Sequence, residues 1–121
     1  MSKDELQHKI EDFIDTTVLP AFSKVGEDLY KDGVKTKFTS KPWKKELKKN
    51  AFFHVFDLEL SHGEKEFCKI SSYLSIQGKN HIQFGSSIKK FYGTETISEL
   101  VIENIDKIDK NSLAEDILKK V

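Results

Sequence analysis

Apolar side chains in the first thirty residues fall at Leu6, Ile10, Phe13, Ile14, Val18, Ala21, Phe22, Val25 and Leu29. Steps of three and four are the signature of a helix with one buried stripe. Ser2 or Asp4 can cap its start, and Asp32-Gly33 can end it, because glycine takes the left-handed conformation at a helix C-terminus without steric cost. Pro20 interrupts the pattern: it has no N–H to offer the Thr16 carbonyl, so a kink is expected there. At 100° per residue, the stripes before and after Pro20 point in mean directions about 80° apart. A long helix bent around a curved sheet would reconcile them.

From Val34 the period drops to two. Val34, Thr36 and Phe38 alternate with Lys35, Lys37 and Thr39, a short strand whose lysines suit a sheet edge. After the segment 41–50, expected as a loop or one to two helical turns, three more alternating runs follow. They place Phe52, His54, Phe56, Leu58 and Leu60, then Cys68, Ile70, Ser72, Leu74 and Ile76, then Ile82, Phe84 and Ile88 on one face. The turn between the first two runs sets their pairing. A two-residue turn would put the apolar sets on opposite sides. A three-residue loop, Ser61-His62-Gly63, pairs Phe56 with Cys68 and His54 with Ile70. The three-residue loop is therefore expected. Gly78-Lys79-Asn80 supplies the next turn, and residues 89–95 read as a longer loop. In Thr96–Glu103, Leu100 and Ile102 compete with Ile97 and Val101 for the inward face; the even positions continue the register and are expected inward.

A last stripe, Leu113, Ala114, Ile117, Leu118 and Val121, predicts a C-terminal helix with Asp109 as N-cap, or with Ser112 and Glu115 as a capping box. The predicted fold class is α+β: a long kinked N-terminal helix, a five-stranded antiparallel meander and a C-terminal helix, with both helices on one face of the sheet. Three stretches carry a resemblance: Val18-Leu19-Pro20-Ala21-Phe22, Ile108-Asp109-Lys110-Asn111, and Leu113-Ala114-Glu115-Asp116-Ile117-Leu118. In this order around Phe-rich strands, the chain resembles a group of small uncharacterised bacterial proteins. The resemblance implies the same order of elements and no activity.

At 121 residues the chain is expected to form a single domain over 1–121. Its 20 basic and 20 acidic residues cancel, leaving no overall field to steer a polyanion or a membrane surface. Every basic residue is lysine, so the residue best suited to bidentate capture of phosphate or guanine is missing. One cysteine suits a reducing compartment. No run approaches a membrane span, and a cytoplasmic protein with no membrane partner is expected.

Candidate chemistry is sparse. His54 could act as a general base or ligand, and Cys68, one pair away in the expected register, makes a Cys-His nucleophile conceivable. A buried imidazole with one hydrogen bond and a thiol acting as a small hydrophobe are the stronger expectations. No metal-binding or phosphate-loop spacing occurs, so no metal, cofactor or catalytic residue is assigned. From Lys35 to Asn50, seven lysines stand against one glutamate, while residues 1–34 carry four lysines against eight acids. Lys41, Trp43, Lys44, Lys45, Lys48 and Lys49 could track a phosphate backbone and stack a base. The alternative is a solvated stretch lying over the acidic helix. The other candidate is the outward sheet face, expected to show Phe53, Val55, Phe67, Lys69 and Tyr73 among uncharged polar side chains.

The leading expectation is therefore a non-catalytic module that binds a protein partner, or a second copy of itself as a homodimer, through that face. Nucleic-acid binding through Lys35–Lys49 is the first alternative. A ligand carrier or enzyme with a cavity near His54 and Cys68 is the second.

Overall fold

The computed structural model describes residues 3–40, 52–77, 81–92 and 94–121, with the side chains of 3, 4, 40, 52–55, 77, 92, 94 and 95 outside the description. It is α+β, as expected. The N-terminal helix runs as α1 (Lys3–Phe13), a π-helical turn (Ile14–Val18) and α2 (Leu19–Tyr30). Five strands follow in a meander: β1 (Val34–Ser40), β2 (Phe52–His62), β3 (Lys65–Gln77), β4 (His81–Tyr92) and β5 (Thr94–Asn104). A 3-10 turn (Ile105–Lys107) leads into α3 (Lys110–Lys120).

The π-turn is the structural answer to Pro20. The Leu19 N–H reaches back five residues to the Ile14 carbonyl, and the Thr16 hydroxyl donates to the Asp12 carbonyl at 2.7 Å. Widening the helix just ahead of Pro20 relieves the ring's clash with the preceding turn. It also inserts one residue, which rotates everything downstream by about 100° and so absorbs the offset of about 80° between the two stripes. Leu6, Ile10 and Phe13 consequently share one buried face with Val18, Ala21, Phe22 and Val25. A π-turn therefore stands at the site of the expected kink.

The sheet corrects three register expectations. β2 and β3 join through a two-residue turn, Gly63-Glu64, with His62 opposite Lys65 and Gly63 at φ 61°, a conformation glycine adopts freely. The parity conflict of a two-residue turn is cancelled at once by a β-bulge. Ser61 pairs with Glu66 and Leu60 with Cys68, leaving Phe67 as the extra residue. A second bulge at Val55 shifts the far end of β2, so that His54 lies opposite Tyr73 and Phe53 opposite Leu74. Third, β4 continues to Tyr92 in place of the expected loop at 89–95, and a bulge sets Leu100 and Val101 across from Ser86. Leu100 and Val101 are both half-buried against the core, while Ile102, expected inward, is 57% exposed.

Both helices cover one face. Phe13 meets Phe84 of β4 edge-on at 5.4 Å, and Phe22 meets Phe56 of β2 at 4.4 Å. The N-terminal helix is thus a strap laid across the middle strands. α3 packs against α2 and β5 through Leu113, Ala114 and Ile117. Its N-cap is Asp109, whose carboxylate accepts from the Asn111 and Ser112 N–H groups. Both sheet edges are blunted. β1 exposes Lys35 and Lys37, and β5 carries the bulge, its Glu99 carbonyl accepting from the Lys120 ammonium at 3.0 Å.

Candidate binding surface on the outward sheet face

Alternation turns one row of each strand away from the helices, and paired residues share a face. Three rungs cross the outward side. One joins Thr39, Asp57, Ser71, Ser87 and Glu99, and the next joins Lys37, Glu59, Lys69, Lys89 and Ile97. The third joins Tyr73, Gly85 and Ile102. Exposure grades across them. Asp57 is only 7% exposed, accepting from the Ser71 hydroxyl at 2.7 Å with the Lys69 ammonium at 3.9 Å. Tyr73 is half-buried, and on β5 Ile97 and Ile102 are 64% and 57% exposed. Exposure is greatest at the two edges, at Lys37 and Thr39 on β1 and at Ile97 and Ile102 on β5, and the exposed isoleucines lie at the β5 edge.

A depression of ≈ 270 Å³ lies beside Ile102, over Gly85. Its walls are Tyr73 on β3 and Ile102 on β5; Ser75, Gln83, Ser87 and Glu99 complete the rim. It exists because position 85 has no side chain between a tyrosine and an isoleucine. A Cβ at Gly85 would meet the Val101 carbonyl at 3.4 Å and Ile102 Cγ1 at 3.8 Å, ordinary contact distances. Backbone approach therefore does not demand glycine, and the residue leaves open space in a strand interior where alanine would be more stable by about 0.5–1 kcal/mol.

The bulge in β5 completes the arrangement. Strict alternation would send positions 99 and 102 to opposite faces. The extra residue among Leu100 and Val101 brings Glu99 and Ile102 to the same one. Sequence reasoning missed Gly85, Ile97, Glu99 and Ile102 as site residues. The available signal was the apolar run Leu100-Val101-Ile102, which breaks alternation inside an otherwise alternating strand.

The sequence candidates are dispersed by the observed register. His54 and Cys68 are not one pair apart. Cys68 lies opposite Leu60 and His54 opposite Tyr73, roughly 20 Å along β2 at ~3.3 Å per residue. Cys68 is fully buried among core residues. Burial pushes its thiol from the ordinary 9.0 up to about 11, with Lys90 pulling it down and Glu66 adding to the rise. At pH 8 only about one molecule in a thousand then carries the thiolate. Native-state alkylation by iodoacetamide is expected to be at least about 100-fold slower than in denaturant; comparable rates would show an accessible, activated thiol. In the unfolded chain the thiol ionises first as pH rises, so its contribution to stability is full below about pH 9 and is lost between about pH 9 and 11.

The remaining histidines of the strands have structural partners. His62 stacks on Phe67 at 4.7 Å, and Phe67, at the bulge, is half-buried against the core. The His81 ring lies 3.3 Å from the Asn104 amide nitrogen. Lys69 and Tyr73 stand on the outward face as expected, Lys69 beside Asp57. Phe53 and Val55 are described by backbone alone, and Lys41, Trp43, Lys44, Lys45, Lys48 and Lys49 lie outside the described residues. Of the basic stretch, Lys35 and Lys37 are exposed, but the Lys37 rung includes Glu59 and the next contains Asp57 and Glu99. Among the described residues, that mixture forms no continuous strip for a phosphate backbone.

A second depression, ≈ 680 Å³, runs between α2 and β1, lined by Phe22, Gly26, Tyr30, Thr36, Phe38 and Leu58 with Glu27 and Lys31 at its rim. Among the described residues, no three His, Cys, Asp or Glu side chains converge as a metal site, and no helix is long and apolar enough to cross a membrane. No protein-family model, curated protein or solved structure matches the chain.

Proposed function

We propose that the chain is a non-catalytic binding module that engages a protein partner, or a second copy of itself, through the β4–β5 side of the outward sheet face. The observation that carries this reading is the exposure of Ile97 and Ile102 on one face, with Tyr73 and the Gly85 depression beside Ile102. A lone exposed isoleucine is ordinary on any protein surface. Two on the same face of one strand, on either side of the outward Glu99 and with Gln83 and Ser87 close to Ile102, combine exposed apolar and polar groups as interfaces do.

Site-specific photo-cross-linking in the source cells tests this directly. A benzophenone side chain at position 97 or 102 is expected to give discrete adducts, at twice the chain mass for self-association or at a partner-specific mass. The same group at Glu115 or Asp116, exposed on α3, serves as the control. Adducts that do not differ between the sheet and helix positions would overturn the reading.

A further inference from the structure

We propose that the depression over Gly85 receives a basic side chain, lysine or arginine, presented by the partner protein. This inference rests on the reading of the outward face as a binding surface, and four features of the depression select its occupant. The first is size: ≈ 270 Å³ falls below the roughly 300–1,000 Å³ of pockets that hold cofactor-sized ligands, which points to a single inserted side chain. The second is charge. Of the ten residues lining it, Glu99 alone is ionisable to a charged form at neutral pH, so the lining itself carries only negative charge.

The third feature is the pair of walls. Tyr73 on one side supplies an aromatic wall against which a cation can pack, and Ile102 on the other offers apolar surface to the methylene stem that lysine and arginine bury when their heads reach polar groups. The fourth is the placement of Glu99 itself. Its backbone carbonyl is held by Lys120 at 3.0 Å, and the β5 bulge returns it to the face of Ile102. The nearest cation on β4, Lys89, lies over the Phe91 ring at 5.6 Å, further along the strand from Gly85 than Ser87 is.

Short acetylated and amidated Gly-Ser peptides with lysine, norleucine or glutamate at the centre are the probes, titrated into labelled protein while backbone amide resonances are followed. The lysine peptide is expected to move the Gly85, Ser87 and Ile102 amides and to bind about 3- to 30-fold more tightly than the norleucine peptide, the combined worth of a cation–π contact and an exposed ion pair. Glu99→Gln should weaken the lysine peptide by about 2- to 5-fold and leave the norleucine peptide unchanged. Gly85→Ala, whose methyl fits at contact distance, should preserve the fold and weaken the lysine peptide by narrowing the floor. Equal binding of lysine and norleucine peptides would overturn the inference while leaving an apolar binding face, and so would insensitivity to Glu99→Gln. If no peptide moves these amides, the inference also falls, and the cross-links at positions 97 and 102 then decide separately whether the face binds a partner at all.

Discussion

Replacing Phe56 by alanine is expected to destabilise the fold by about 3–5 kcal/mol. Phe56 is fully buried in β2 and is touched by rings from both sides, edge-on by Phe22 of α2 at 4.4 Å and tilted by Phe38 of β1 at 4.9 Å. Truncation removes the ring's transfer energy, opens a cavity under the helix strap and cancels two aromatic contacts, each worth about 0.5–1.5 kcal/mol beyond burial. A chain of this size has on the order of 5–15 kcal/mol in total, so the loss is a large part of it. Equilibrium urea unfolding should show a lower midpoint with an unchanged slope. Phe38→Ala should cost clearly less, because Phe38 is 48% exposed. A Phe56→Ala loss below about 1.5 kcal/mol would mean that the strap is anchored elsewhere, the Phe13–Phe84 contact being the next candidate.

The second large effect concerns two small polar residues. Ser72 and Ser86 are buried on the helix-facing side and paired across β3 and β4, their hydroxyls 3.1 Å apart. Ser72→Ala leaves the Ser86 hydroxyl without that partner, and the reverse holds for Ser86→Ala; each is expected to cost about 1–3 kcal/mol. The double variant removes both polar groups and should lose markedly less than the sum of the two singles. The cycle is read from urea midpoints of all four proteins. Additive losses would show that each hydroxyl is satisfied independently of the other.

These sites also show how far a sequence can be read. The helices and strands were legible because their periods are strong: Leu113, Ala114 and Ile117 form the buried side of α3 as their spacing requires, and Asp109 caps it. The inward set Phe56, Leu58, Leu60, Cys68, Ile70 and Leu74 was legible too, all of it buried. Pairing was not. Both a three-residue loop and a two-residue turn with a bulge satisfy the same parity, and nothing in Glu66-Phe67-Cys68 announces the extra residue.

The candidate site was lost for the same reason. One bulged position at Leu100-Val101 decides whether Ile102 lies in the core or on the surface, and the even-position continuation chose the core. The helix offers a contrasting case. The offset of about 80° between its stripes was visible, but not the inserted residue that absorbs it, which hydrogen bonding just ahead of Pro20 provides.

The π-turn and the three bulges have one consequence in common for how this chain is to be aligned with any other. Each is a single extra residue inside a helix or a strand, at Ile14–Val18, Val55, Phe67 and Leu100-Val101. A homologue without one of them would need a one-residue gap in the middle of a secondary-structure element, where alignments place gaps least readily. Left ungapped, its buried positions would be matched to exposed ones from that point onward. Substitution patterns at Glu99 and Ile102 are therefore comparable between two such chains only after the gap near Val101 has been placed by structure.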